Sequence, residues 1–268
     1  MDTYSQFRKC MAIGIIMLLV GVSSISSLSA ESVQVESTTE TNVIIVDNEG
    51  DGDYTSIQDA IKNASNGYTI EVYSGIYHEN VFLNKTLTLV GIDTELGTGN
   101  DTGMPILDGI GVNGTGIMIE ADGTLIKGFF IRDYQEAIGL AFCRNNIIAY
   151  NTVVLPKNAG HGIGLYVADY NTISHNHLLG QGKKSSMYLD GSWYNKIVSN
   201  DFQAFLPISL FNSLHNIWFN NYYYRDWLHC LPHIIPGLLM ATIPGLPNVI
   251  FMPYIDIELF PARQPHFP

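Results

Sequence analysis

Four copies of one phrase decide the fold: NIIAYNTV at 146–153, NTISHNHL at 171–178, NKIVSNDF at 195–202 and NIWFNNYY at 216–223. Each copy reads asparagine, any residue, an apolar residue, two further residues, asparagine, any residue, and an apolar residue. A degenerate copy begins at Thr124. The central apolar anchors are Ile126, Ile148, Ile173, Ile197 and Trp218, spaced by 21 to 25 residues. The chain therefore repeats one structural unit, and that unit dictates the architecture.

A second apolar pair precedes each copy. These pairs are Ile117/Ile119, Ile138/Leu140, Ile163/Leu165, Met187/Leu189 and Ile208/Leu210. Such short alternations cannot close a core alone, but units stacked at about 4.8 Å would share one continuous core. We therefore predict an all-β parallel β-helix with three short strands per unit. A leucine-rich-repeat fold also has an asparagine column, but its leucine-rich phrase and single strand per unit are missing here.

The second asparagine of each copy is predicted to be structural. These residues are Asn151, Asn176, Asn200 and Asn221. Each falls between two inward apolar residues, where the backbone must turn, and asparagine tolerates the left-handed conformation better than most residues. Stacked amides would satisfy one another as a ladder.

The two ends of the chain flank this repeat with different segments. Arg8 and Lys9 precede an apolar run at 11–22, which indicates a secretory signal at 1–30, with an uncleaved anchor as the alternative. A polar linker follows at 31–42, then the β-helix with its N-terminal cap at 43–227, and a capping segment at 228–268. We expect a secreted, periplasmic or cell-surface location.

Both caps have sequence signals. Thr55 and Gln58 have the spacing of a capping box, which predicts an amphipathic helix from Thr55 to Ser65. The tail at 228–251 is apolar but contains four prolines, so we predict an irregular apolar cap over the open end of the core. Docking of a partner or peripheral membrane contact is the alternative use of that tail.

Composition restricts the partners. The net charge is −12, from 13 Lys and Arg against 25 Asp and Glu, which excludes nucleic acid as a partner. Cys143 and Cys230 could pair, or Cys143 could be a free buried thiol. Asn-x-Ser/Thr sequons, the acceptor motif for N-glycosylation, occur at Asn63, Asn84, Asn100 and Asn113. The sequence does not determine the oligomeric state.

Two regions resemble a known family. Residues 46–109 (VDNEGDGDYTSIQDAI…PILDG) resemble the N-terminal cap and first coils of right-handed parallel β-helix proteins of the pectin-lyase-like superfamily, and within it the NosD-like group. The tail phrases NIWFNNYYYRDW at 216–227 and FPARQP at 260–265 resemble that group's closing phrases, with departures such as Arg225. The opening also resembles pectin methylesterases, but their catalytic phrases are missing, so no catalytic residue is predicted.

The candidate ligand site lies on outward residues of the strand that carries each inward pair. Stacking would bring together Tyr166, Tyr188, Asp190 and Phe211. Aromatic rings beside a carboxylate suit a sugar chain, because each ring offers an apolar face next to a wet edge. Ordinary surface aromatics covered by a loop are the alternative. The expected partners are a surface polysaccharide or other envelope components.

The histidines raise a metal question, since the resemblance implies a copper-related protein. His175 and His177 flank the ladder residue Asn176, and with His161 they would offer three imidazoles, a set that copper accepts. Solvated surface histidines are the alternative, and otherwise no cofactor is expected. Three functions remain, in this order: a non-catalytic glycan-binding or envelope-structural protein, a polysaccharide-acting enzyme, and a copper-handling accessory protein.

Overall fold

The computed structural model describes residues 42–156, 160–180, 185–203, 206–223, 233–242, 249–258 and 266. The predicted signal at 1–30 and the linker residues up to 41 lie outside this part of the chain, as does Cys230.

The described chain consists of short strands and one helix, α1 (Ile57–Asn63). The first strands are β1 (Val43–Val46), β2 (Thr69–Val72), β3 (Ile76–Tyr77), β4 (Val81–Leu83), β5 (Thr88–Gly91), β6 (Ile106–Asp108), β7 (Thr115–Ile119), β8 (Leu125–Lys127), β9 (Phe130–Arg132), β10 (Glu136–Ala141), β11 (Ile147–Ala149) and β12 (Thr152–Leu155). They continue as β13 (Ile163–Tyr166), β14 (Thr172–Ser174), β15 (His177–Gly180), β16 (Ser185–Asp190), β17 (Lys196–Val198), β18 (Asp201–Gln203), β19 (Leu206–Phe211), β20 (Ile217–Phe219), β21 (Tyr222–Tyr223), β22 (His233–Thr242) and β23 (Val249–Glu258).

From β2 to β22 every third strand joins the same sheet, so the chain winds through three sheets. Sheet 1 has the order β1-β2-β5-β8-β11-β14-β17-β20, and sheet 2 has the order β3-β6-β9-β12-β15-β18-β21. Sheet 3 has the order β4-β7-β10-β13-β16-β19-β22-β23. Neighbouring coils pair in parallel, as β11 and β14 do. The predicted all-β parallel β-helix with three strands per unit is therefore confirmed.

The apolar anchors stack into inward columns. In sheet 1, Ile148 pairs with Ile126 on one side and Ile173 on the other, and the column continues to Ile197 and Trp218. The predicted pairs in sheet 3 also align, for example Leu140 with Leu165. All these side chains are buried, since even Trp218 and Leu210 are only 5% exposed. One apolar core therefore runs through the coils.

A ladder of buried amides joins the coils at the corner between sheets 1 and 2. Nδ2 of Asn151 donates to Oδ1 of Asn176 over 3.1 Å, and Nδ2 of Asn176 donates to Oδ1 of Asn200 over 3.0 Å. Asn200 continues the ladder to Asn221 over 3.0 Å. All four residues are 0% exposed. The ladder thus satisfies amide groups that water cannot reach.

The expectation that these asparagines adopt the left-handed conformation is wrong. The left-handed residue is the one before each asparagine: Tyr150, His175, Ser199 and Asn220, with φ between 54° and 58°. The reason lies in side-chain direction. The turn residue must direct its side chain away from the core, and only then can the next residue direct its amide inward to the ladder.

A second amide ladder follows the first asparagine of each phrase. The backbone N–H of Asn146 donates to Oδ1 of Asn171 over 2.9 Å, and that of Asn171 donates to Oδ1 of Asn195 over 2.8 Å. Asn216 extends the ladder through its bond from the N–H of Asn195. The sequence shows this column of asparagines, but its ladder role became clear only from the structure.

The N-terminal helix is held by a residue that the sequence prediction missed. The N-cap is Ser56, whose hydroxyl accepts the N–H of Asp59 over 3.3 Å, rather than Thr55. The carboxylate of Glu79 accepts the N–H groups of Ile57 and Gln58 at 2.8 and 2.9 Å. A carboxylate at this end of a helix satisfies donors that have no partner within the helix and also favours the helix dipole.

The C-terminal segment is less irregular than predicted. Strands β22 and β23 pair antiparallel over ten residues each, from His233 opposite Glu258 to Thr242 opposite Val249. β22 also continues sheet 3 by pairing with β19. Strand β22 therefore extends sheet 3, and β23 pairs along the outer edge of β22. The predicted cap also includes residues 228–232, 243–248 and 259–265, which lie outside the described chain.

Cys143 is a free, buried thiol. Its Sγ lies 3.5 Å from the carbonyl oxygen of Ile119, and it packs within the core. Burial raises the pKa of this thiol to about 12, so it stays protonated and unreactive at neutral pH.

Candidate ligand site on sheet 3

The register places the four predicted ligand-binding residues on adjacent coils of sheet 3. Tyr166 pairs with Asp190, and Asp190 pairs with Phe211. Tyr188 pairs with Gly164, two residues earlier along the same strands. Successive residues of a strand alternate between its two faces, so these side chains share the face opposite the buried leucines. All four are half-buried.

Tyr166 does not stand upright on the sheet but lies across Gly164 towards Glu136. Its hydroxyl donates to Oε1 of Glu136 over 2.5 Å. A Cβ added to Gly164 would come within 2.1 Å of that oxygen and 2.7 Å of the Tyr166 ring. The absence of a side chain at Gly164 therefore creates the space in which Tyr166 and Glu136 meet.

Glu136 is the member of the site that the sequence prediction did not assign. Strict alternation from the inward residues Ile138 and Leu140 would also direct Glu136 into the core. Ala137 and Ile138 are both buried, with exposures of 1% and 0%, whereas the Glu136 carboxylate lies over the outward positions Gly139 and Gly164. Its Oε2 accepts the hydroxyl of Thr115 over 3.1 Å.

The environment of Glu136 affects its protonation. Burial raises the pKa of the Glu136 carboxyl, and the hydrogen bonds from Tyr166 and Thr115 lower it in part. Burial also raises the pKa of the Tyr166 phenol above its usual range. The hydrogen bonds from its neighbours therefore offset only part of the cost of burying the negative charge of an ionised Glu136.

Tyr188 forms the second half of the site. Its ring stacks on His161 with centroids 4.6 Å apart, and it meets the Tyr166 ring at 5.9 Å with a tilt of 54°. The neighbouring hydroxyl of Tyr188 lowers the pKa of the Asp190 carboxyl, but burial raises that pKa by more. We call the five residues Glu136, His161, Tyr166, Tyr188 and Asp190 the sheet 3 cluster.

The two carboxylates of the cluster are not arranged as the pair of a glycosidase. Asp190 pairs with Tyr166, which pairs with Ala141, five residues after Glu136. Five residues of strand correspond to about 16 Å. In addition, two strand spacings separate the residues across the sheet. Glycosidase carboxyl groups are about 5 to 9.5 Å apart. The cluster is thus better suited to binding than to this kind of hydrolysis.

The structure does not bring the three predicted metal-binding histidines together. His161 lies on sheet 3 against Tyr188. His175 lies in the turn before the ladder and stacks on Tyr150 at 4.8 Å, whereas His177 lies on β15 of sheet 2, paired with Asp201. Burial lowers the pKa of His177, while the charge of Asp201 opposes this. Within the described residues, no group of three or more His, Cys, Asp or Glu side chains is placed to hold a metal ion.

A stack of exposed aromatic rings along the corner between sheets 3 and 1 was not predicted. Tyr170 stacks on Tyr194 at 5.2 Å, and Tyr194 stacks on His215 at 5.4 Å. All three residues have positive φ, between 57° and 59°. Their equivalent positions in successive coils explain the stack. Tyr194 is stacked on both faces, so it offers a ligand its edge rather than a face.

None of the helices in the described part of the chain is long and apolar enough to cross a membrane.

The stacked coils define this chain as a parallel β-helix protein. It belongs to the NosD family, described as "Periplasmic copper-binding protein (NosD)", whose pattern matches residues 21–225. This confirms the NosD-like resemblance, and the family description supports a periplasmic or otherwise exported location.

Comparison with solved structures finds the "Crystal structure of pectin methylesterase in complex with hexasaccharide VII". The identity is 11%, the match covers 78% of this chain and 84% of the other, and the TM-score is 0.35. A likeness at this level carries no argument about activity. Among curated proteins, no match is found.

Proposed function

We propose that this protein is a non-catalytic, exported β-helix protein that binds a surface polysaccharide on the outer face of sheet 3. The observation that carries the proposal is the sheet 3 cluster: two tyrosine rings 5.9 Å apart, with Tyr166 hydrogen-bonded to Glu136 and with Asp190 beside Tyr188. Such rings offer apolar area to a sugar ring, while the carboxylates accept hydrogen bonds from its hydroxyl groups.

The rigid placement of these rings supports a binding role. Tyr166 is fixed by Glu136 and by the space over Gly164, and Tyr188 is fixed by His161. Side chains that are already ordered lose little conformational entropy when a ligand binds. The underlying strands belong to one continuous sheet, which positions both rings in every molecule alike.

The Tyr188→Ala variant tests the proposal. We expect its affinity for the oligosaccharide that binds best on a glycan array to fall about tenfold, or about 1.4 kcal/mol, because one of the two rings is lost. The affinity would be measured by titration calorimetry on the full chain. Tyr194→Ala is the matched control, since Tyr194 is also a stacked, partly exposed tyrosine but lies on the corner.

Equal affinities of the Tyr188→Ala variant and the wild type would show that the sugar binds elsewhere. An array on which no glycan binds would leave the envelope-structural role as the function.

Copper handling is the second candidate, because the family description names copper. The described residues do not fit a three-imidazole copper site, since His161, His175 and His177 lie on sheet 3, in a turn and on sheet 2 respectively. Further histidines and methionines of the tail, such as His229 and Met240, have side chains outside the described part of the chain.

Equilibrium dialysis with copper tests this assignment. We expect the His175→Ala/His177→Ala variant to take up as much copper as the wild type, because no third ligand joins these two imidazoles among the residues that the structure describes. His78→Ala serves as a control for the removal of a histidine elsewhere. Copper uptake that disappears only in the double variant would contradict the prediction and support a site at this corner.

A further inference from the structure

We propose that the sheet 3 cluster prefers a sugar chain with free amino groups, and that Asp190 and Glu136 are the residues that select it. This inference rests on the proposed function, because it assigns the substrate class of the same site. It follows from a count of the hydrogen-bond donors and acceptors that the cluster presents.

The hydroxyl donors next to Glu136 are already used. A phenol has one O–H group. The hydroxyl of Tyr166 donates to one oxygen of Glu136. The hydroxyl of Thr115 donates to the other oxygen of Glu136. Around Glu136 mostly acceptor capacity therefore remains for a ligand, and the Asp190 carboxylate adds two further acceptor oxygens.

The charges of the face point in the same direction. The outward residues described on β7, β10, β13, β16 and β19 include Glu136 and Asp190, but neither lysine nor arginine. A ligand must therefore supply the donors and, preferably, positive charge. A protonated amino sugar supplies three N–H donors and one charge at each amine, whereas a polyuronate supplies acceptors and negative charge.

Burial strengthens this preference. An ionised carboxylate that has lost part of its hydration is stabilised by a nearby cation more than an exposed one is, because the local dielectric constant is lower. Burial raises the pKa of both carboxyl groups, as described above. An ammonium group at the cluster would reverse this effect by favouring the ionised forms.

Titration calorimetry of the full chain with three probes tests the inference. The probes are a chitosan hexamer at a pH where its amines are protonated, the fully N-acetylated hexamer, and an oligogalacturonate. We expect the chitosan hexamer to bind at least about tenfold more tightly than the N-acetylated hexamer, and the oligogalacturonate not to bind. In Asp190→Asn the difference between the first two should fall to about twofold or less.

Two further variants make the result specific. Glu136→Gln removes the other carboxylate of the cluster and should also reduce the preference for the chitosan hexamer. It provides the test if Asp190→Asn folds poorly. Glu71→Gln removes one negative charge from the outer face of sheet 1 and should leave the preference unchanged. A preference that Glu71→Gln reduces as much as Asp190→Asn would overturn the inference, because general attraction to an acidic protein would then explain it.

The remaining outcomes separate this inference from the proposed function. If both hexamers bind equally and Tyr188→Ala weakens both, the amine preference is wrong but the glycan site stands. If the oligogalacturonate binds most tightly, the amine preference is likewise wrong. If none of the three probes binds, the amine preference is overturned, and the glycan array then decides the proposed function alone.

Discussion

Replacing Asn176 with leucine is expected to lower the free energy of unfolding by about 3–5 kcal/mol. The amide of Asn176 donates to the carbonyl of Ile148 over 2.8 Å and accepts the backbone N–H of Asn151 over 3.0 Å. Leucine can do neither. Each buried group left without a partner costs about 1–3 kcal/mol. Domain stabilities are typically only about 5–15 kcal/mol, so this is a large fraction.

Urea unfolding followed by circular dichroism would measure this change. The control is Asn113→Leu, at an exposed asparagine outside both ladders. If the free energies of unfolding of the two variants differ by less than about 1 kcal/mol, the asparagine ladder does not make the main contribution to stability at this corner.

Replacing Gly164 with alanine is expected to weaken glycan binding by about thirtyfold, or about 2 kcal/mol, with little effect on the fold. The new Cβ would meet Oε1 of Glu136 at 2.1 Å and the Tyr166 ring at 2.7 Å, so these two side chains must separate. Both atoms belong to the flexible ends of side chains rather than to the backbone. We therefore expect the free energy of unfolding to change by only about 1 kcal/mol.

This variant separates binding from folding when calorimetric affinity and thermal unfolding are measured on one sample. Ser209→Ala provides the control, because Ser209 lies in the same outward row as Gly164 and Tyr188. This substitution adds no side-chain volume. Normal affinity in Gly164→Ala would show that the contact between Tyr166 and Glu136 does not contribute to binding.

The repeat made the fold predictable. Anchors such as Ile148 and Ile173 recur at one spacing, and parallel stacking is the arrangement that buries all of them in one core. Because register follows from this stacking, the relation of Tyr166 to Asp190 and of Tyr188 to Gly164 could also be inferred from the sequence.

The features that the sequence prediction missed depend on local side-chain placement and on contacts between residues that are distant in sequence. The Glu136 carboxylate lies over Gly164 on the outer face although Ile138 and Leu140 are buried, and a period of two gives no sign of this departure from alternation. Glu79 caps a helix whose first residue, Ile57, lies 22 positions earlier. Capping rules consider only neighbours in sequence, so they selected Thr55 and Gln58.

The tail was predicted to be irregular because of its prolines. Pro253 lies in β23, which is the edge strand of sheet 3, and Pro236 lies in β22 just before the residues that pair with β19. At such positions the missing N–H costs few sheet hydrogen bonds. These prolines are therefore compatible with a hairpin at the edge of the sheet.

The central claim, that the outer face of sheet 3 binds a sugar chain, is tested most directly by a crystal structure of the full chain with the oligosaccharide that binds most tightly. The account predicts a sugar ring against Tyr166 and Tyr188, with a hydroxyl or amino group within hydrogen-bond distance of Glu136 or Asp190. A sugar bound at another face, with these two rings uncovered, would contradict it.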